Sequence, residues 1–139
     1  MKKLSPSEVY FLDSRRVGRL ATVSLNGTPQ VTPVCYAVMN SSLYIRAGKG
    51  TQKAKNITHS PKVALVIDDY DEDWSRMKGM MIVGTASVLD GGDEYRRARD
   101  ALVAKYSQYR KSYPIIEGEV SILKVDVDRQ NFWDYSKTP

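Results

Sequence analysis

One cysteine, Cys35, one histidine, His59, and two phenylalanines are all that this 139-residue chain holds of those types. A single cysteine excludes an internal disulfide and agrees with a reducing, cytoplasmic setting. No apolar run approaches the ~20 residues of a membrane span. The basic start Met1-Lys2-Lys3-Leu4-Ser5-Pro6 has no apolar stretch behind it, so it does not read as a signal peptide. Repeats, low-complexity tracts and linker composition are absent, so a single domain over residues 1–139 is expected, able to bury roughly two-thirds of its unfolded surface. No acid–base constellation stands out. His59 reads as a surface or capping residue, and Cys35 as a core thiol with no histidine placed to activate it.

Acids are scarce in the first half. Residues 1–62 carry ten Lys and Arg against only Glu8 and Asp13, whereas residues 63–139 carry eleven against fourteen acids. A basic half favours anionic ligands, from phosphorylated cofactors to nucleic acid. Nucleic-acid binding also needs aromatics interleaved with the basic residues on one surface; here one compact anion site and scattered arginines account for the charge, and neither nucleic acid nor membrane is an expected partner. The 42% hydrophobic and 27% charged content fits a soluble globular protein.

Taken in order, Ser5-Pro6-Ser7-Glu8 matches a capping box opening a helix to about Asp13. Residues 18–25 alternate as a strand, and Asn26-Gly27 signals a hairpin. The return strand over residues 30–38 contains Pro33, which marks an edge or a ladder break that frees backbone groups of Thr32, Val34 and Cys35. A third strand ends at Arg46, which shares a face with Tyr44. Arg46-Ala47-Gly48-Lys49-Gly50-Thr51 then turns into a helix over residues 52–59, with Thr51 as N-cap. Lys53 and Lys55 fall early in that helix, against its macrodipole, an arrangement suited to a bound anion. A solvated basic face is the plain alternative. Gly48-Lys49-Gly50-Thr51 is not a P-loop, since Lys49 precedes Gly50 and the upstream glycine is missing.

A strand buried on both faces is expected over residues 62–67. The following Asp68-Asp69-Tyr70-Asp71-Glu72-Asp73-Trp74 is a loop whose carboxylates are more simply solvated than metal-binding, and whose tryptophan reads as a contact anchor. Residues 80–89 form a fifth strand with a bend at Gly84. A helix over residues 93–109 carries the stripe Tyr95, Ala98, Leu102, Tyr106 and Tyr109, and a sixth strand covers residues 119–127. The expected fold is mainly β: a six-stranded antiparallel barrel with a few peripheral helices.

Several stretches resemble the split β-barrel flavin and deazaflavin oxidoreductases related to pyridoxamine 5′-phosphate oxidase. These are Arg16-Val17-Gly18-Arg19-Leu20-Ala21-Thr22-Val23 with Asn26-Gly27, Gln30-Val31-Thr32-Pro33-Val34, Lys53-Ala54-Lys55-Asn56-Ile57 before Ser60-Pro61-Lys62-Val63-Ala64, and Asp71-Glu72-Asp73-Trp74-Ser75-Arg76. The last resembles the subgroup linked to the deazaflavin coenzyme. The resemblance implies an oxidoreductase passing hydride to a small-molecule substrate, with an F-420-type deazaflavin or FMN bound at the interface of a homodimer. Its phosphate would lie against Lys49, Thr51, Lys53 and Lys55, with Arg46 leaning over the turn. Its ring would stack along Thr32, Pro33 and Val34, covered by Trp74 or Trp133 of the partner. Tyr36 or Tyr70 are candidate proton donors. The C-terminal stretch lacks the arginine- and histidine-rich segment of true pyridoxamine phosphate oxidases, which argues against vitamin B6 oxidation. A non-catalytic flavin- or haem-binding protein is the rival reading.

Overall fold

The computed structural model describes residues 2–137. Helix α1 (Pro6–Asp13) opens with the expected capping box: Ser5 Oγ accepts from the Glu8 N–H at 3.2 Å, and Glu8 Oε1 accepts from the Ser5 N–H at 2.8 Å. Strands β1 (Gly18–Val23) and β2 (Pro29–Val34) pair across the Asn26-Gly27 turn, where Gly27 takes a φ of 87°.

The return strand over residues 30–38 is two strands. β2 ends at Val34, Cys35 and Tyr36 leave the ladder, and β3 (Ala37–Met39) pairs instead with β4 (Ser42–Gly48). Asn40 and Ser41 join these two with φ of 51° and 64°, the left-handed pair that a two-residue hairpin requires. Next come α2 (Gln52–His59), β5 (Lys62–Asp69), β6 (Lys78–Leu89), α3 (Asp93–Lys105) and β7 (Val120–Asp134). The architecture is mainly β and antiparallel as expected, with seven strands rather than six, in the order β2-β1-β5-β6-β7-β4-β3.

That order puts β2 and β3 at opposite edges, although only two residues separate them in the chain. Three Cα steps span at most about 11 Å. The sheet must curl until its edges nearly meet, without closing. Pairing of β3 with β4 stops at Ala37↔Tyr44, so residues 45–48 of β4 have no neighbour on that side, and neither does the outer edge of β2. Those two free edges flank the split. Tyr106 pins the crossing: its hydroxyl donates to the Arg16 carbonyl at 2.8 Å and accepts from the Tyr36 N–H at 3.1 Å.

Inside the curl, Leu20, Leu43, Ile45, Leu65, Ile67, Met80, Ile82 and Val125 make the apolar interior. Outside it, α3 lays Tyr95, Ala98 and Leu102 against Ala37, Tyr44 and Ile122. β5 corrects the expectation of burial on both faces, because Val63, Leu65 and Ile67 are buried while Ala64 and Val66 are only half-buried. α3 stops at Lys105, before a short 3₁₀ turn over Ser107–Arg110, and β7 runs on to Asp134, taking in Phe132 and Trp133. Gly84 sits at a bulge in the β6–β7 ladder, where a Cβ would lie 2.5 Å from the Asp126 carbonyl oxygen. The acidic loop is self-capped, with Asp73 accepting from the Ser75 N–H at 3.1 Å and its hydroxyl at 2.7 Å. Among the described residues, no group of three or more His, Cys, Asp and Glu is arranged to hold a metal ion. None of their helices is long and apolar enough to cross a membrane.

Candidate functional site

The open edge of β2 has a composition set by its prolines. Just outside the ladder, the Ser24 N–H donates to the Thr28 carbonyl at 2.9 Å. Antiparallel pairs alternate between bonded and non-bonded positions. Counting from Thr28, residues Gln30, Thr32 and Val34 spend their backbone groups on β1, and Pro29, Val31 and Pro33 turn theirs to the split. Pro33 therefore does not break the ladder, whose register runs unbroken from Gly18↔Val34 to Val23↔Pro29. It instead removes a donor from the free edge, as Pro29 does, leaving three carbonyls and the Val31 N–H. The backbone of Thr32 and Val34 is not free for a ligand. The side chain of Thr32 faces inward opposite Leu20, and its Oγ1 is buried without a partner. Val34 is buried and Pro33 exposed.

Across the split, β4 runs into the turn before α2. Gly50 takes a φ of 76°, which favours glycine; Gly48 is still in the strand, where a Cβ would lie 3.3 Å from Thr51 Cγ2. Thr51 stands at the N-cap with extended backbone, but its hydroxyl caps nothing and is buried without a partner. The first turn of α2 carries no acid, and the first intrahelical bond runs from the Lys55 N–H to the Thr51 carbonyl at 3.0 Å. The helix therefore begins with free N–H groups, an unengaged hydroxyl and the half-buried Lys53, which together suit an anion.

The other predicted cations separate from this point. Two positions at ~100° each put Lys55 nearly opposite Lys53 around the helix axis. Lys55 lies in a groove with Leu25, Asn26 and His59 at the β1–β2 turn. Lys49 Nζ donates to the Gly118 carbonyl at 2.9 Å. Arg46 shares the outer face of β4 with Tyr44, whose hydroxyl bonds Glu94 of α3 at 2.7 Å, and its Nη2 reaches the Pro114 carbonyl at 3.4 Å. It lines a second cavity, on the α3 side. Four buried side-chain nitrogen or oxygen atoms lack a partner among the described residues, and three of them are Thr32 Oγ1, Arg46 Nε and Thr51 Oγ1.

Trp133 stands toward the other end of β7 from the turn, and Trp74 shares a groove with Tyr135 just past that end. Val120, opposite Gly48, is thirteen residues from Trp133 along β7, a contour of about 43 Å. Trp133 covers Gly79 on the facing strand, where a Cβ would meet its Cζ2 at 2.5 Å. Trp74 is 67% exposed in a 3₁₀ turn and shares an apolar groove of about 540 Å³ with Tyr70, Met77 and Tyr135. Of the two tyrosines considered as proton donors, Tyr36 is buried and gives its proton to the Leu12 carbonyl at 2.7 Å; burial pushes its pKa well up. Tyr70 is exposed beside Trp74.

Two features escaped the sequence reading. Asn56 is buried within α2 and locks it to β1, donating to Thr22 Oγ1 at 2.9 Å and accepting from Gln52 Nε2 at 2.7 Å. A polar residue flanked by Ala54 and Ile57 on the buried side of the helix was the available signal. Lys105 sits 3.9 Å over the Tyr36 ring and donates to the Leu12 carbonyl at 3.2 Å. Burial pulls its pKa down to about 8.

Residues 4–134 match the family model described as pyridoxamine 5′-phosphate oxidase. Over 95 residues the chain is 32% identical to the 5a,11a-dehydrotetracycline/5a,11a-dehydrooxytetracycline reductase of Streptomyces rimosus, covering 65% of this chain and 67% of the relative. Among solved structures, a conserved hypothetical protein from Mycobacterium tuberculosis superposes with a TM-score of 0.82 at 22% identity, covering 97% of this chain and 91% of that one. The heme storage protein of Vibrio cholerae gives 0.77 at 13% identity over 96% and 95% of the two chains. An FAD-binding protein from Mesorhizobium loti gives 0.72 at 21% identity over 94% and 95%.

Proposed function

Because this chain belongs to the pyridoxamine 5′-phosphate oxidase family, we propose that it is an oxidoreductase holding a flavin-type cofactor in the split, an F-420-type deazaflavin in preference to FMN. The observation that carries this reading is the buried, unpartnered hydroxyl of Thr51 at a helix start without a side-chain cap, together with that of Thr32 on β2 across the split. Thr51 Oγ1, the free N–H groups of α2 and Lys53 would hold a phosphoryl end. The carbonyl-rich edge of β2 would accept hydrogen bonds from ring N–H groups. When bound, the ring supplies the hydride chemistry toward a small-molecule substrate, and the protein supplies binding and orientation. The preference for the deazaflavin rests on the Asp71-to-Arg76 loop and on the basic first half, which suits extra carboxylates.

The same proposal includes a homodimer. On the outer face, the registers align Val31, Ala21, Ala64 and Val83 in one row and Pro33, Arg19, Val66 and Met81 in the next. All but Arg19 are apolar; Val31 is 64% exposed, and the alanines, Val66, Met81 and Val83 are half-buried. Trp133 borders this face over Gly79. A second copy docked there would cover the face and bring in tryptophans that one protomer carries toward the end of β7 away from the α2 turn.

The test is the absorbance of the protein as isolated, followed by titration with FMN and with the deazaflavin. We expect tighter binding of the deazaflavin, and at least ten-fold weaker binding by Lys53→Ala with its fold intact. A large preference for FMN overturns the cofactor choice, and unchanged affinity in Lys53→Ala removes that lysine from the site. The fold shared with the heme storage protein supplies a second reading, a non-catalytic flavin- or haem-binding protein. Tight binding without turnover by any reduced cofactor would favour it.

A further inference from the structure

Arg46 and Cys35 meet in a cavity that the cofactor reading does not use. Carrying the β3–β4 register two pairs past Ala37↔Tyr44 sets Cys35 opposite Arg46, and both line a space of about 350 Å³ with Tyr106, Gln108, Tyr109 and Tyr113. It opens on the α3 side of the sheet, the face opposite the barrel interior. Three of its six lining residues are tyrosines. The Tyr106 and Tyr109 rings stand edge to face, 5.7 Å apart, and Tyr113, 59% exposed, stands at the mouth. Among the described residues, Arg46 Nε is buried with no acceptor, and Nη2 of that guanidinium makes a long 3.4 Å contact with the Pro114 carbonyl. The Cys35 thiol and the Tyr109 ring line the same space.

A desolvated guanidinium nitrogen without an acceptor is costly, and a carboxylate satisfies it with a charge-assisted, planar pair of bonds. Tyrosine rings offer faces and edges that suit a flat apolar body. The volume is at the small end for ligand pockets. We propose that this cavity binds a small planar aromatic carboxylate, its carboxylate on Arg46 and its ring between the tyrosine walls, with the Cys35 thiol at its flank.

Benzoate and the isosteric neutral benzamide serve as probes, added to the full chain without cofactor and followed by saturation-transfer NMR and calorimetry. Benzoate is expected to bind at least ten-fold more tightly than benzamide. Arg46→Gln should abolish that preference and Arg46→Lys restore part of it, while Lys53→Ala leaves it unchanged. This last arm separates the cavity from the cofactor site: either proposal can fail alone. Because Cys35 is the only thiol, its alkylation by iodoacetamide, read by mass, should slow when benzoate is present. Should Arg46→Gln fail to fold, Tyr113→Ala at the mouth serves instead, with a loss of affinity for both probes expected. Equal binding of the two probes, binding of neither, or no protection of Cys35 would overturn the proposal.

Discussion

Removing one oxygen from Tyr106 should loosen the crossing on which the split depends. Tyr106 is 6% exposed, and its hydroxyl joins the Arg16 carbonyl, just before β1, to the Tyr36 N–H, in the segment that carries β2 over to β3. Tyr106→Phe keeps the ring and its contact with Tyr109 but leaves a buried N–H without an acceptor and a carbonyl without a donor. An unsatisfied buried group costs about 1–3 kcal/mol. The Arg16 carbonyl, nearer the surface, can recover a water, so a total of about 2–3 kcal/mol is expected. For a chain of this size, at about 3–5 °C per kcal/mol, that lowers Tm by roughly 6–15 °C. In urea, the midpoint should fall with an unchanged slope. Tyr113→Phe, at an exposed ring, is the control and should stay within about 0.5 kcal/mol of wild type. A Tyr106→Phe variant as stable as that control would refute the pin and the argument that the edges are held together there.

Lys105 predicts a pH dependence. Its folded pKa of about 8 lies below the ordinary 10.5, so between those values the unfolded chain binds more protons and stability rises with pH. The penalty is complete below pH 8; Lys105→Met, which lacks it, should exceed wild type there by about 1–2 kcal/mol, allowing for partial exposure, and the gap should close toward pH 10.5. A constant gap across that range would contradict the burial argument. Thr51→Val should leave the cofactor-free protein within about 0.5 kcal/mol of wild type, because the hydroxyl makes no bond in the chain, yet weaken cofactor binding about five- to twenty-fold, measured by spectral titration. Val83→Glu places a charge in the middle of the apolar outer face and should shift sedimentation from dimer to monomer; a chain already monomeric before the change removes the dimer.

Local chemistry made most elements legible in the sequence. The Ser5–Glu8 box, Asn26-Gly27 and the residues around Thr51 each specify their own geometry through bonds a few residues long, and α1 and α2 begin and end where those signals put them. What was illegible depends on partners distant in the chain. Residues 30–38 read as one strand because nothing local says that Val34 pairs with Gly18 while Ala37 pairs with Tyr44. Pro33 illustrates the limit: its lack of a donor was visible, but whether it faces the ladder or the open edge follows from register. In the site, Thr51 could be nominated from residue type and Thr32 from its place beside Pro33, although its side chain rather than its backbone proves free of a partner among the described residues. Arg46 was nominated too, yet strand alternation sends its side chain to the α3 face, beside the Cys35 cavity. The link between Asn56 and Thr22 joins residues 34 apart and leaves no local pattern.

The central claim places a phosphoryl group at the start of α2. Amide ¹⁵N–¹H spectra of the labelled protein, recorded through a titration with the deazaflavin or FMN, test it directly. The N–H signals of Gln52, Lys53 and Ala54 should move downfield and saturate with the bound fraction, with Val31 on the facing edge following. Saturable binding that shifts other amides and leaves these four in place would contradict the account.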